Sequence, residues 1–376
     1  MFRAWFEEFK PVVSKSKPDG ESGTRPINYH DFELLVTPDR KIRASSEQGE
    51  EEGELHLDMN EIRLTLQLTE RGNTNAELLK GLGTKLYQAL FPANIHAHLR
   101  ATTASAEAAR CGVRLRLIME PPGLSALPWE FLYDADTNTF LANSTQTALS
   151  RYIPVPMTRR DIRAASLPLK ILVVISSPQG LTPLDTEGEE RLIRQALTKH
   201  LTSGQVEIDV LKEATIRNIN QKLRERSYNV FHFIGHGMFK EDKGYLILAD
   251  QDNTARPVDD ETFSNFFLGN RTIGLVILNA CQSAATSSHQ AFVGMAFHLV
   301  RRGIPAVIAM QYSIADTTAQ LFADELYRTL SLGWPVDAAI QATRNAISME
   351  VGLDQPDFAT PVLFMRARDG VILSGL

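Results

Sequence analysis

Four short apolar runs after residue 167 constrain the fold of the chain more than any other feature. They are Lys170–Ile175 (KILVVI), Val230–Ile234 (VFHFI), Ile273–Leu278 (IGLVIL) and Ala306–Met310 (AVIAM). A strand with one wet face alternates polar and apolar residues, so nearly continuous runs like these belong to strands covered on both faces. Between them the period changes to that of amphipathic helices, over 187–201, 214–226, 289–302, 317–331 and 335–349. Further strands are read at Val206–Leu211, at Tyr245–Ala249 as part of a hairpin, and at Val362–Met365. Strands alternating with helices require right-handed crossovers, and therefore a mostly parallel, three-layer α/β domain.

The region from Ile27 to Tyr152 reads differently. Phe32–Val36 and Val113–Met119 are expected strands, and 76–92 an expected helix with Leu79, Leu82, Leu86 and Leu90 on one face. Alternation of Leu55, Leu57 and Met59, and of Ile62, Leu64, Leu66 and Leu68, predicts two more strands. The acidic run EQGEEEGE before them reads as a solvated hairpin loop. Leu127–Tyr133 breaks the pattern and is expected to cap this subdomain. Residues 1–15 can form a short helix with Phe2, Trp5, Phe6 and Phe9 on one side, either packed on the domain or docking a partner. A polar linker, SKSKPDGESGTRP, follows. The expected division is thus 1–26, 27–160 and 161–376.

Composition removes several classes of function. A net charge of −6 argues against a generic nucleic-acid binder. The only two cysteines, Cys111 and Cys281, exclude a disulfide framework and a CxxC metal pair. No window reaches the roughly 18 consecutive apolar residues of a membrane span, and the first 15 residues, which contain acids, make a poor signal peptide. A soluble, cytoplasmic protein is expected. The first apolar strand runs into Ser-Ser-Pro-Gln-Gly, neither a GxGxxG nor a P-loop, which disfavours nucleotide binding.

Ligands of open α/β sheets bind outside the carboxyl ends of the strands. Two strand ends carry reactive residues here. Val230–Ile234 runs into Gly235-His236-Gly237, and Ile273–Leu278 into Asn279-Ala280-Cys281, 45 residues after His236. On neighbouring strands, His236 and Cys281 would face one crevice. An imidazole there can take the proton of a thiol, and later return a proton to a leaving amine. Glycines on both sides of His236 permit a tight turn and close approach of a substrate. The Gly237 N–H is then a natural oxyanion donor and the Cys281 N–H a second. Either residue alone is more often a small buried thiol or a satisfied core histidine. Their joint placement favours catalysis.

At these residues the chain resembles the CHAT family of caspase-like cysteine peptidases, in the clan that holds caspases and separases. HFIGHG at 232–237 and VILNACQSA at 276–284 carry the resemblance. GLGTKLYQALF at 81–91, LPWEFLYD at 127–134, GIPAVIAMQYSIAD at 303–316 and the segment 322–344 support it. It implies a caspase-like αβα sandwich with a mostly parallel sheet, preceded by an inactive, pseudo-caspase α/β subdomain. It implies peptide-bond hydrolysis without metal or cofactor. His236 would be the general acid/base, Cys281 the nucleophile, and Gly237 part of the oxyanion hole. Members often carry helical-repeat domains that control the peptidase. None is visible here, which points to a protein activator in trans, with bacterial defence or regulated cell death as the family's suggestion for a pathway.

Specificity stays open. By similarity to separases, Asp316 would bind a basic P1 side chain, with Gln311 and Tyr312 lining the pocket; as a residue before Thr-Thr-Ala-Gln it equally fits a helix N-cap, and an apolar P1 remains an alternative. His232 shares a strand face with His236 and either orients it or makes a core hydrogen bond. Asn279 is read as satisfying turn backbone groups, Asp185 and Thr186 as capping candidates, and His289, His298 and Cys111 as structural. The competing function is a catalytically silent, caspase-like interaction module.

Overall fold

The computed structural model describes residues 28–70, 74–121, 123–144, 146–154, 167–241, 243–270, 272–280, 286–312 and 315–371. The amphipathic segment with Phe2, Trp5, Phe6 and Phe9 lies outside them. The described chain opens with an antiparallel meander, β1 (Tyr29–Val36), β2 (Lys41–Ser46) and β3 (Gly49–Glu54). Helices α1 (Met59–Glu70), α2 (Ala76–Leu90) and α3 (Ala93–Ala108) lead to β4 (Gly112–Met119). A two-residue hairpin, β5 (Tyr133–Asp134) and β6 (Thr139–Phe140), precedes β7 (Thr147–Tyr152).

The second region follows the pattern of the apolar runs. In order it contains β8 (Leu169–Ile175), α4 (Thr186–Ala196), α5 (Thr198–Thr202), β9 (Val206–Leu211), α6 (Ile216–Glu225) and β10 (Val230–Lys240). Next come β11 (Lys243–Ala249), β12 (Ala255–Asp259), α7 (Asp260–Ser264), β13 (Leu275–Ala280) and α8 (Thr286–Arg301). The chain then forms β14 (Ala306–Met310), α9 (Asp316–Ser331), α10 (Val336–Val351) and β15 (Pro361–Met365).

One sheet runs through both regions, in the order β9-β8-β10-β13-β14-β15-β7-β4-β1-β2-β3, with β11 and β12 hung from the far half of β10. It consists of two parallel blocks of opposite direction. β9, β8, β10, β13 and β14 form the first; β15, β7, β4 and β1 form the second. They meet at the antiparallel pair β14–β15. The sheet therefore crosses residue 160 without a break, because the last strand of the chain joins the strands of the first region.

Helices cover both faces of the first block, which explains its unbroken apolar runs. Val173, Ile234, Ile277 and Ile308 pack with Ile193 of α4 and Phe322 and Leu326 of α9. Val174, Phe233, Leu278 and Val307 pack on the other face, with Phe292, Met295 and Leu299 of α8. The fold class expected from the sequence, a mostly parallel three-layer α/β sheet, is the one observed.

Three local expectations fail. Leu55, Leu57 and Met59 form no strand, because β3 ends at Glu54 and α1 begins at Met59. Residues 62–68 are not a strand but part of α1, opened by Asp58, whose Oδ1 accepts the N–H of Asn60 at 2.9 Å. In a helix Ile62, Leu66 and Thr69 share a face, and they turn inward, while Leu64 is left 62% exposed. The alternation was real but the face it described was not used. The acidic run is only partly a loop: Glu47 and Gln48 make the turn, but Glu50, Glu51, Glu52 and Glu54 sit in the edge strand β3, opposite the basic strand β2, with Arg43 Nε 3.1 Å from Glu52. Charge on an edge strand discourages further pairing.

Candidate active site

β10 changes partners along its length. Val230–Ile234 pairs in parallel with β8, and Val230–Gly235 with β13; His236–Lys240 pairs antiparallel with β11. His236 is the first residue past the parallel block. The tight turn expected at Gly235-His236-Gly237 is absent, since the strand continues through it. Gly235 is needed for a different reason. A Cβ there would lie 2.6 Å from Phe233 Cζ and 3.2 Å from the Ser176 carbonyl oxygen.

The register on β13 aligns Ile234 with Asn279 and Gly235 with Ala280. Cys281 lies outside the described residues. His236 is buried, at 6% exposure, and neither ring nitrogen has a hydrogen bond of standard geometry among the described residues. Burial pushes its pKa down, and the backbone of Thr182 opposes that shift. Thr182 belongs to the connection from β8 to α4. This connection is anchored where Ser176 Oγ donates to the Ile247 carbonyl at 2.8 Å and Gln179 N–H to the Asn253 carbonyl at 2.8 Å. It ends at Asp185, the N-cap of α4, whose Oδ1 accepts the Gly188 N–H, as the capping reading expected.

His232 makes a core hydrogen bond: Nδ1 and the Tyr327 hydroxyl of α9 lie 2.8 Å apart. It stands four residues before His236, roughly 13 Å along the strand, too far to orient it. Complete burial lowers its pKa to about 3, so it stays neutral. Asn279 departs from the turn reading. It lies within β13, and its Oδ1 has no partner among the described residues.

Gly237 is aligned with Leu246 of β11. Gln311 and Tyr312 follow β14 at the same end of the sheet. Gln311 Nε2 donates to the Ala359 carbonyl at 2.6 Å and to Glu130 at 3.2 Å, and Tyr312 packs against Phe131 with ring centroids 6.0 Å apart. Asp316 is the first residue of α9, one past Ala315 in the N-cap position, so the capping reading for it does not hold.

Sequence reading missed the support beneath Gln311. Glu130 is fully buried and accepts from Arg151 Nη2 at 2.5 Å, with Arg344 Nη2 at 3.9 Å. Arg344 in turn donates to the carbonyls of Pro361 and Leu149. The signal was a lone charge inside the apolar run LPWEFLY, which demands a buried partner. Among the described residues, one trio has metal-ligand atoms within 4.8 Å of one another, namely His96, Asp134 and Asp136. Arg100 already occupies it, 2.7 Å from Asp134 and 3.0 Å from His96 Nε2.

The CHAT domain family model matches residues 80–358, well over half of the chain. The chain belongs to the CHAT domain family. Solved structures similar to this CHAT chain include separase in the Saccharomyces cerevisiae separase–securin complex, at 14% identity and TM-score 0.40, over 74% of this chain and 17% of that one. Gingipain R of Porphyromonas gingivalis, pro- and mature domains together, aligns at 10% identity and TM-score 0.45, over 84% and 79%. The Drosophila initiator caspase Dronc aligns at 10% identity and TM-score 0.31, over 53% and 85%. The CHAT chain thus spans under a fifth of the separase chain. A search of curated protein sequences finds no match. No helix among the described residues is long and apolar enough to cross a membrane.

Proposed function

We propose that this CHAT protein is a cysteine endopeptidase that cleaves a protein substrate with His236 and Cys281. The observation that carries the reading is the register of β10 on β13. His236 and Cys281 are each the next residue after the last aligned pair, Gly235 and Ala280. Successive Cα atoms are about 3.8 Å apart, so connectivity keeps the two residues at adjacent strand ends.

In this reading His236 takes the Cys281 proton, and the thiolate attacks the scissile carbonyl carbon. The N–H groups of Gly237 and Cys281 stabilise the oxyanion. His236 then protonates the leaving amine as the carbon–nitrogen bond breaks, and water hydrolyses the thioester. A pKa held down by burial keeps the imidazole unprotonated and able to act as a base at neutral pH. Asp316 with Gln311 and Tyr312 would read the P1 side chain, with a basic residue as the expected choice. No metal or cofactor takes part. The 27–160 region is assigned the role of a pseudo-caspase subdomain, and a cytoplasmic defence or cell-death pathway is the proposed setting.

Activation in trans fits the burial of His236, whose ring lies beside the Thr182 backbone and leaves a substrate little access. The same burial favours a second reading, a silent caspase-like interaction module. A proteome-derived peptide-library digest separates the two. Cleavage by the wild type that falls by about 10⁴-fold or more in Cys281→Ala is the expected result. Equal cleavage by both proteins would refute the peptidase. Among cleaved sites, basic P1 residues lost on Asp316→Ala would support the pocket, and apolar P1 residues would refute it.

A further inference from the structure

Three buried side chains on one face of the sheet carry a polar atom without a partner, His232 at Nε2, His236 and Asn279, and the last two stand at the end of the strands where the candidate site lies. Asn279 is 7% exposed, and its Oδ1 makes no hydrogen bond among the described residues; neither ring nitrogen of His236 makes one of standard geometry, although the Thr182 backbone lies close enough to raise its pKa against burial. Asn279 is aligned with Ile234. His236 therefore stands one strand across and two residues further along, roughly 8 Å away between backbones. An imidazole and a carboxamide together span that gap. The two side chains also share a face. Ile234 and Ile277 enter one core cluster, whereas Phe233 and Leu278 enter the opposite one, so alternation puts Asn279 and His236 on the side of the first pair.

Buried polar groups are nearly always hydrogen-bonded, and an orphan asks for an explanation. Hydrogen bonds of catalytic groups often tighten only when substrate is present. We propose that Asn279 is a positioning residue for His236. Its amide oxygen accepts one ring N–H and fixes the tautomer whose other nitrogen is free to take the thiol proton. The choice of an amide has a physical reason. Among the described residues no charged side chain contributes to the titration of His236; only burial and the Thr182 backbone do. A carboxylate at 279 would raise the pKa of the imidazole and shift it toward the protonated form. A neutral acceptor orients the ring without adding charge. What His236 does with that orientation rests on the peptidase reading; the pairing itself does not.

Nuclear magnetic resonance of the full chain with isotope-labelled histidine tests the pairing without any assay of activity. In the wild type the ring nitrogen shifts of His236 should report one dominant neutral tautomer. Asn279→Ala should release it to a mixture, and Asn279→Asp should raise the His236 pKa by about 1–3 units, while the tautomer of His232 stays fixed by Tyr327. Where cleavage is measured, Asn279→Ala should lower kcat roughly tenfold or more with KM within about twofold, and Asn279→Asp should move the acid limb of the pH profile upward. A wild-type His236 already exchanging between tautomers overturns the proposal with no variant needed. So does a titration indifferent to both substitutions. A wild type that cleaves nothing but shows these shifts keeps the pairing and removes only the peptidase.

Discussion

The molecule treats buried polar groups in two opposite ways. Around Glu130 every charge has a partner: Arg151 and Arg344 flank it, Gln311 donates to it, and carbonyls of Ser125, Leu149 and Pro361 take the remaining guanidinium N–H groups. At the end of β10 and β13, the His236 ring nitrogens and Asn279 Oδ1 are also buried but make no hydrogen bond of standard geometry among the described residues. A satisfied network locks a scaffold, here the junction of β7, β14 and β15. Orphaned groups are tolerated where something else is to be bound. The contrast separates what holds this fold from what the fold holds ready.

Substitutions at three positions sharpen that contrast. The largest effect is expected from Glu130→Ala, which strands two buried guanidiniums and should cost about 3–5 kcal/mol in denaturant unfolding. Glu130→Gln, which keeps an acceptor, should lose visibly less, and a loss below about 1 kcal/mol for the alanine variant would show that the network is not the lock. His232 comes next, and it acts through pH. Unfolded, its imidazole titrates near 6.5; folded, near about 3. Between those values only the unfolded state takes up the proton, so stability falls as pH falls, by about 1.4 kcal/mol per pH unit. In His232→Gln the loss of stability from pH 6 to pH 4 should be smaller by about 2–3 kcal/mol, measured by denaturant titration at each pH. An unchanged pH slope would place the proton elsewhere. The smallest change is Gly235→Ala. The new methyl must displace the fully buried Phe233 ring, at a cost of about 1–3 kcal/mol in the same experiment. A neutral result would mean that the site end of β10 yields more easily than the Glu130 junction.

Legibility follows the same division. The strands at 170–175, 230–234 and 306–310 were readable because burial on two faces leaves a mark in every successive residue. Helix α2 was readable because Leu79, Leu82, Leu86 and Leu90 repeat with its turn. Residues 62–68 were misread because alternate apolar residues suit a strand, yet Ile62 and Leu66, with Thr69 just beyond, also suit one face of a helix started by Asp58. The His236 and Cys281 candidates came from their places at strand ends, and their resemblance to CHAT motifs extended that reading to the family.

By itself, the sequence determined the order of strands and helices in the second region, the two strand ends that carry reactive residues, and family membership, because each of these is written in neighbouring residues. Tertiary structure decided the rest. It set the single sheet that ties β15 to β7, the partner of Glu130 from 21 residues away and that of Arg344 from 195, and the register that lines Asn279 up with Ile234. Pairing across the sheet depends on which strands become neighbours, and local sequence carries no record of that choice. The same is true of the empty valences at His236. No residue type announces that it will be buried without a partner; only the packed fold shows where a hydrogen bond is still owed.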